Sequence, residues 1–204
     1  MDGIGNGGQP CFVRGVRIAT PQGEVAVEDL KIGQTVLTLS GAGRPVKWIG
    51  RRAYAARFVG ARAPNCPVRI RAGALGAGLP HADLYVSHNH ALWLDGQLIE
   101  AGLLVNGRSI EHLLAWDQPI EYLHVELDRH DVIFAEGAPS ESYLDCWNRY
   151  LFQNAPEFRA LHPDFRVAEQ VEFAPRLMSG PALDAVRARL AAVADERFPG
   201  RAAG

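Results

Sequence analysis

The chain has 204 residues, of which 48% are hydrophobic and 22% are charged, and its formal net charge at pH 7 is -2. This length fits one domain, or one domain with a small appendage, whose core needs no metal or disulfide to be stable. The near-neutral charge and the lack of an apolar run of about 20 residues argue against a dedicated nucleic-acid binder and a membrane-spanning protein.

The chain begins with a glycine-rich, polar leader over residues 1–10. This leader lacks the basic start and the apolar stretch of a signal peptide, so we expect a cytoplasmic location by default and no membrane partner. Beyond it, glycine (21 residues) and proline (13 residues) are frequent enough to predict many turns and therefore short strands.

Short apolar or alternating runs, separated by turn residues, predict a mostly β fold from Cys11 to about Phe134. The clearest hairpin has Asp95-Gly96 between two strands, because these residues tolerate the positive φ angles of a type I′ turn. The predicted strands cover residues 16–20, 25–27, 35–39, 46–49, 84–86, 91–94, 97–99, 120–126 and 131–135.

Two stretches depart from this strand pattern. Residues 50–78 are rich in Arg, Ala and Gly and fit either a loop excursion or a short helix around 69–75. Their arginines fit either a solvated surface or a contact with an acidic partner or segment. After Ser142, apolar residues recur at helical spacing over 143–152, and a second helical run covers 181–198, where Pro181 suits a first helical turn.

The three cysteines are Cys11, Cys66 and Cys146. Their odd, low number does not predict a disulfide framework, and without an export signal we expect free thiols. A free thiol is usually a small buried apolar group, and composition alone leaves Cys11, at the end of the leader, with that interpretation.

Four histidines lie in or beside predicted strands, namely His88, His90, His124 and His130. Side chains two apart in a strand share a face, so His88 and His90 with one further ligand would make a zinc site. The chain has no C-x-x-C or H-E-x-x-H pattern, however, and a histidine on an apolar strand is more often a core residue. We therefore predict no metal site and no cofactor.

Four segments nevertheless occur in a specific order: Cys11-Phe12 followed by a strand to Thr20, residues 27–38, Ser87-His88-Asn89-His90, and residues 122–137 with His130 and Gly137. In this order they resemble the Hint domain, the autoprocessing module shared by hedgehog proteins and inteins, with Ser87 in the place of a threonine and Gln34 where aspartate is frequent. Residues 67–76 and 141–145 are similar to the bacterial Hint subfamily. The resemblance covers residues 11–143.

The resemblance implies a compact, horseshoe-like Hint-type β-fold of many short strands with a helical C-terminal extension. We predict three parts: a leader that is a residual extein-like stub (residues 1–10), a Hint-like β-domain (residues 11–142) and the helical extension (residues 143–204).

The resemblance also implies self-cleavage before Cys11, and the chemistry of the residues fits. The Cys11 thiolate would attack the carbonyl of Pro10 in an N-to-S acyl shift, and His90 would give a proton to the departing nitrogen. Ser87 would hydrogen-bond the peptide or the tetrahedral oxyanion. His130 and His124 are candidates for a base or an orienting group. The substrate would be the chain's own N-terminal segment, and the sequence identifies no upstream partner protein.

Splicing is not expected, because inteins end in Asn before Cys, Ser or Thr, and residues 139–142 contain no Asn. The only Asn-Cys pair of the sequence, Asn65-Cys66, lies in the basic stretch, and we interpret it as a coincidence and not as a splice junction. A hedgehog-like aspartate after Trp48-Ile49 is also missing, so the resemblance does not extend to sterol-type activation of a second nucleophile. Two other functions stay open: a non-catalytic Hint-like binding or structural module, and a Cys-His hydrolase that acts on a separate substrate.

Overall fold

The computed structural model describes residues 10–56, 66–114, 116–166 and 171–199. The leader before Pro10, the arginines Arg57 and Arg62, and Asn65 of the Asn-Cys pair lie outside these residues. Within the described part, the chain forms fourteen short strands and, near the C-terminus, two α-helices, so the predicted mostly β class is confirmed. No helix of this part is long and apolar enough to cross a membrane.

The first sheet has six antiparallel strands, in the spatial order β11-β7-β8-β1-β12-β6. Its central strand β1 has only two residues and pairs with β8 on one side and β12 on the other. The strands of this sheet are β1 (Phe12–Val13), β6 (Trp48–Tyr54), β7 (Val68–Ile70), β8 (Leu84–Val86), β11 (Ile110–His112) and β12 (Ile120–Glu126).

The second sheet also has six strands, in the order β10-β9-β14-β13-β2-β3, and a separate ribbon pairs β4 with β5. The β9–β10 hairpin turns at Asp95 and Gly96, whose φ angles are 51° and 84°, as the type I′ prediction requires. The remaining strands are β2 (Arg17–Thr20), β3 (Gly23–Ala26), β4 (Thr35–Leu37), β5 (Gly43–Pro45), β9 (Ala91–Leu94), β10 (Gln97–Glu100), β13 (Val132–Ala135) and β14 (Ala138–Glu141).

One large apolar cluster joins the two sheets. It includes Phe12 and Leu84 of the first sheet, Ile18 and Leu92 of the second, and Leu190 of the last helix. Burial of such side chains contributes roughly 25 cal/mol for each Å² of apolar surface removed from water, so this cluster is the main source of stability. The last helix therefore packs on the same core as the strands.

The helices differ in part from the prediction. The run 181–198 is confirmed as helix α2 (Pro181–Arg197), which buries Leu183, Val186 and Leu190. Helix α1 (Ala155–Leu161) was not predicted. The prediction of a helix over 143–152 is wrong, because residues 143–148 are not helical and only Arg149–Leu151 forms a 3-10 turn.

Strand pairing explains why 143–152 is not a helix. The Ser142 N–H donates to Asp131 O and the Tyr143 N–H donates to Val125 O, so the chain continues in extended form beyond β14. Hydrogen bonds to neighbouring strands thus override the apolar spacing. In the basic stretch, the short-helix alternative is also wrong, since Arg69 lies in β7 and turns follow it.

Residues that follow β14 pack against Trp48 of β6 in a second apolar cluster. It consists of Trp48, Tyr143, Phe152, Ala155 and Phe158. Phe152 meets the Trp48 ring edge-on, with centroids 5.3 Å apart. Gly50 makes room for this contact, because a Cβ there would lie 2.7 Å from Trp48 Cζ3 and 2.8 Å from Phe152 Cδ1. Gly50 is the β6 partner of His124 in β12, so this packing also borders the histidine.

We expect Gly50→Ala to lower the free energy of unfolding by about 2 kcal/mol, because the added methyl group forces the Trp48 and Phe152 rings apart. Urea unfolding measures this change. The control is Ala53→Val at an exposed position of the same strand, which should stay within about 0.5 kcal/mol of the parent. Equal unfolding midpoints for Gly50→Ala and the parent would contradict the described packing.

Candidate active site

Strand register places Cys11 between Ser87 and His124. Phe12 pairs with Val86 of β8 and with Leu123 of β12. In antiparallel pairing, one step back along β1 is one step forward along its partners, so Cys11 lies opposite Ser87 and His124. The contacts agree, because Cys11 Sγ forms a short hydrogen bond with His124 Nε2 and the Ser87 N–H donates to the Cys11 carbonyl at 2.9 Å.

The backbone hydrogen bonds between β1 and β8 are interrupted at Ser87. Its carbonyl accepts the His90 N–H at 3.1 Å across a turn. The Cys11 N–H donates instead to the Ser87 side chain, at 2.9 Å from Oγ. The hydroxyl oxygen of Ser87 therefore contacts the amide nitrogen of the Pro10–Cys11 peptide bond, the bond whose cleavage the family resemblance implies.

Cys11 is a buried thiol, 3% exposed, which packs with Val13, Ile120 and Tyr122. Burial raises the pKa of the Cys11 thiol well above its usual value, although the Arg52 charge and the Ser87 hydroxyl oppose this shift. The thiol therefore carries its proton at neutral pH, and it needs a base in direct contact to become nucleophilic.

His124 is in the right state to be that base. Its ring is 1% exposed and packs edge-on against Phe152 and Tyr143, with centroids 4.5 Å and 5.3 Å away. Burial, followed by the charges of His90 and Arg52, lowers the pKa of His124 well below its usual value. The imidazole is therefore neutral at pH 7, and the lone pair of Nε2 is available to accept the thiol proton.

The His90 ring packs against Phe12, the residue after Cys11. Its ring centroid is 4.3 Å from that of Phe12, and it is 1% exposed. Neither ring nitrogen makes a full hydrogen bond within the described residues. Burial lowers the pKa of His90 to about 4, while Glu141 and the Cys11 backbone favour the protonated ring and Arg176 disfavours it.

His130 is not in contact with Cys11 but with a buried carboxylate. Its Nε2 lies 3.4 Å from Glu141 Oε2, and its Nδ1 accepts the Phe173 N–H at 3.0 Å. Glu141 also accepts the Ala91 N–H at 2.6 Å, which ties the carboxylate to the residue after His90. Of the predicted site residues, the structure thus brings Cys11, Ser87, His90 and His124 to one place, and His130 borders it through Glu141.

Sequence reasoning missed Glu141 and Arg52. Glu141 is fully buried at the end of β14, where three of four residues are buried, but the sequence Ala138-Pro139-Ser140-Glu141 has no apolar pattern that marks it as a core position. Arg52 lies in β6 and acts on Cys11 only through its charge. No pattern in the sequence marks Arg52 among the other arginines of the basic stretch.

A potential metal-ligand group lies on other residues. In the described part of the chain, Glu24, His81 and Glu136 place one ligand atom each within 4.8 Å of one another. His81 Nε2 lies 3.0 Å from Glu24 Oε2 and 3.7 Å from Glu136 Oε2, so the three also form ion pairs without a metal. None of the predicted site residues belongs to this group.

Comparisons with known proteins agree with the resemblance seen in the sequence. A family model described as the Hint domain matches residues 10–147. The chain is similar to the solution structure of a bacterial intein-like domain from Clostridium thermocellum, with 17% identity, 66% of this chain and 98% of that chain covered, and a TM-score of 0.48. It is also similar to the gp41-1 intein, with 14% identity, 65% and 98% coverage, and a TM-score of 0.46. No curated protein matches the chain.

The buried His90 predicts acid sensitivity. Because the pKa of His90 is about 4 in the folded chain and near 6.5 when unfolded, acid favours the unfolded chain, which binds the proton first. The contribution to stability is complete above pH 6.5 and falls by about 3 kcal/mol as pH drops to 4. His124 acts in the same direction. Urea unfolding between pH 7.5 and pH 4 measures this loss.

The control variant is His90→Gln, which removes the titrating group and should lose less stability over the same pH range. His81→Gln should not reduce the loss, because the pKa of His81 is raised, first by the Glu136 backbone. Parallel pH profiles for His90→Gln and the parent would show that the pKa of His90 is not lowered in the folded chain.

Proposed function

The chain belongs to the Hint domain family, and we propose that it is an autoprocessing domain which cleaves the peptide bond before Cys11 without splicing. The observation that carries the proposal is the hydrogen bond between Cys11 Sγ and His124 Nε2. It pairs a nucleophile with a neutral base at the residue where the family resemblance places cleavage.

The first step is an N-to-S acyl shift. Cys11 Sγ attacks the carbonyl carbon of Pro10 through a five-membered ring, and its proton passes to His124 Nε2. The bond from that carbon to the Cys11 nitrogen then breaks, and a thioester forms. Nucleophile and carbonyl belong to adjacent residues, so proximity supplies much of the rate.

The departing nitrogen needs a proton, and we assign its delivery to protonated His90. His124 gains one proton and His90 loses one, so the count balances. Because the pKa of His90 is about 4, only about one molecule in a thousand carries this proton at pH 7. The step is therefore expected to be slow at neutral pH and limited by the supply of protonated His90.

Ser87 acts on both the amide nitrogen and the thiol of Cys11. Its Oγ accepts the Cys11 N–H in the resting state, which holds the amide nitrogen in place. Its hydroxyl also lowers the pKa of the Cys11 thiol, which means that it stabilises the thiolate. Water or an added thiol would then resolve the thioester, and the upstream segment would leave with its carboxyl end at Pro10.

Two observations argue for self-cleavage over the other functions. A hydrolase acting on a separate substrate needs an accessible nucleophile, whereas Cys11 is 3% exposed. A non-catalytic module needs no neutral imidazole hydrogen-bonded to a buried thiol. The absence of Asn from residues 139–142 supports cleavage without splicing.

We expect the full chain, with a folded reporter fused ahead of it, to release the reporter faster with dithiothreitol than without. The variant Cys11→Ala should abolish this release, because no other group can form the thioester. Cys66→Ala is the matched control, since it removes another buried thiol. Intact mass and gels measure release. An intact fusion in thiol, or equal release from Cys11→Ala, would contradict the proposal.

We expect His124→Gln to slow thiol-dependent release about 100-fold or more, because the thiol loses the base that contacts it. His130→Gln should have a smaller effect, since His130 contacts Glu141 and not Cys11. Release rates from the two fusions, with urea unfolding to confirm that both fold, measure the difference. A larger loss in His130→Gln would mean that His124 is not the base.

A further inference from the structure

A short segment beyond the family match lies along the edge of the second sheet. Residues 171–177, here named the C-terminal strap, form a parallel bridge between Arg176 and Leu98 of β10. The Leu98 N–H donates to Pro175 O at 3.0 Å, and the Leu177 N–H donates to Leu98 O at 2.9 Å. Two backbone hydrogen bonds thus fix the strap at Arg176.

From this position the strap reaches His130. The Phe173 N–H donates to His130 Nδ1 at 3.0 Å, so Nδ1 is the acceptor. In a neutral imidazole the proton must then be on Nε2, the nitrogen that lies 3.4 Å from Glu141 Oε2. The strap therefore selects the tautomer that directs an N–H at the buried carboxylate.

The strap also reaches Glu141 directly. Arg176 Nη2 donates to Glu141 Oε2 at 2.5 Å, and Arg176 Nε donates to Glu172 within the strap at 2.6 Å. The other carboxylate oxygen accepts the Ala91 N–H. Both oxygens of a fully buried carboxylate are therefore satisfied, one of them by a residue outside the family match.

We propose that Arg176 is a positioning residue of the cleavage site, which holds the Glu141 carboxylate beside His90 and so controls the proton on that histidine. The proposal rests on the proposed function for its role in cleavage. The C-terminal strap then has a part in the chemistry, because a substitution at residue 176 would change the protonation of His90 through Glu141.

The charges around His90 give the direction of the effect. Glu141 raises the pKa of His90, whereas Arg176 and His130 lower it, and His124 is a further imidazole that His90 influences. Burial raises the pKa of Glu141, but His130, His90 and Arg176 lower it enough to keep the carboxylate ionised. Removal of Arg176 takes a positive charge away from His90 and leaves the Glu141 carboxylate without its arginine partner, so a proton on His90, which compensates the buried negative charge, is expected to be bound more readily.

The first test does not require cleavage. In full-length chain carrying Cys11→Ala, NMR titration of the His90 ring should give a pKa at least one unit higher when Arg176→Met is added. Arg176→Lys keeps the charge and should keep the parent value. The matched control is Arg189→Met, since Arg189 lies in the same C-terminal region and pairs with exposed Asp95 at 2.9 Å. An unchanged or lower His90 pKa in Arg176→Met would overturn the proposal.

The second test follows reporter release against pH in the active fusion. Arg176→Met should move the profile at least one unit to higher pH, which is about tenfold in protonated His90, and Arg176→Lys should not move it. Loss of rate at all pH values without a shift would mean a structural role only and would overturn the proposal. If no fusion cleaves, the proposed function fails, while the NMR titration still decides the role of Arg176.

Discussion

The pairing of a two-residue strand, Phe12–Val13, with β8 and β12 is the constraint on which the candidate site depends. It brings Cys11 against Ser87 and His124, which are 76 and 113 residues further along the chain. A slip of one residue would turn Phe12 out of the core and Cys11 away from His124. The packing of Phe12 in the main cluster therefore fixes the position of Cys11, the proposed nucleophile, as well.

Burial sets the resting protonation of the site. The buried thiol keeps its proton, and the two buried imidazoles, His90 and His124, stay neutral at pH 7. The proton that the proposed cleavage requires at the Cys11 nitrogen is therefore scarce in the folded chain. Glu141, with its partners Ala91 and Arg176, is a buried negative charge that opposes this state at His90. The proposed cleavage is thus limited by the supply of a proton for the leaving nitrogen and not by the contact between Cys11 and His124.

Most of the strand pattern could be predicted from local sequence, and β12 (Ile120–Glu126) and the turn at Asp95 have the expected positions. The helix expected over 143–152 could not be excluded locally, because hydrogen bonds from Ser142 and Tyr143 to other strands decide its conformation. Motif order made Cys11, Ser87 and His90 candidates for the site. It could not rank His124 above His130, because only the register between β1 and β12 shows which histidine meets the thiol.

The central claim is that Cys11 takes over the acyl group of Pro10. The most direct measurement treats the reporter fusion with hydroxylamine at neutral pH and determines the mass of the released upstream fragment. If Cys11 forms the thioester, the fragment ends at Pro10 as a hydroxamate, since hydroxylamine attacks thioesters, and the Cys11→Ala fusion releases none. A fragment that ends elsewhere, or the same fragment from Cys11→Ala, would contradict the account.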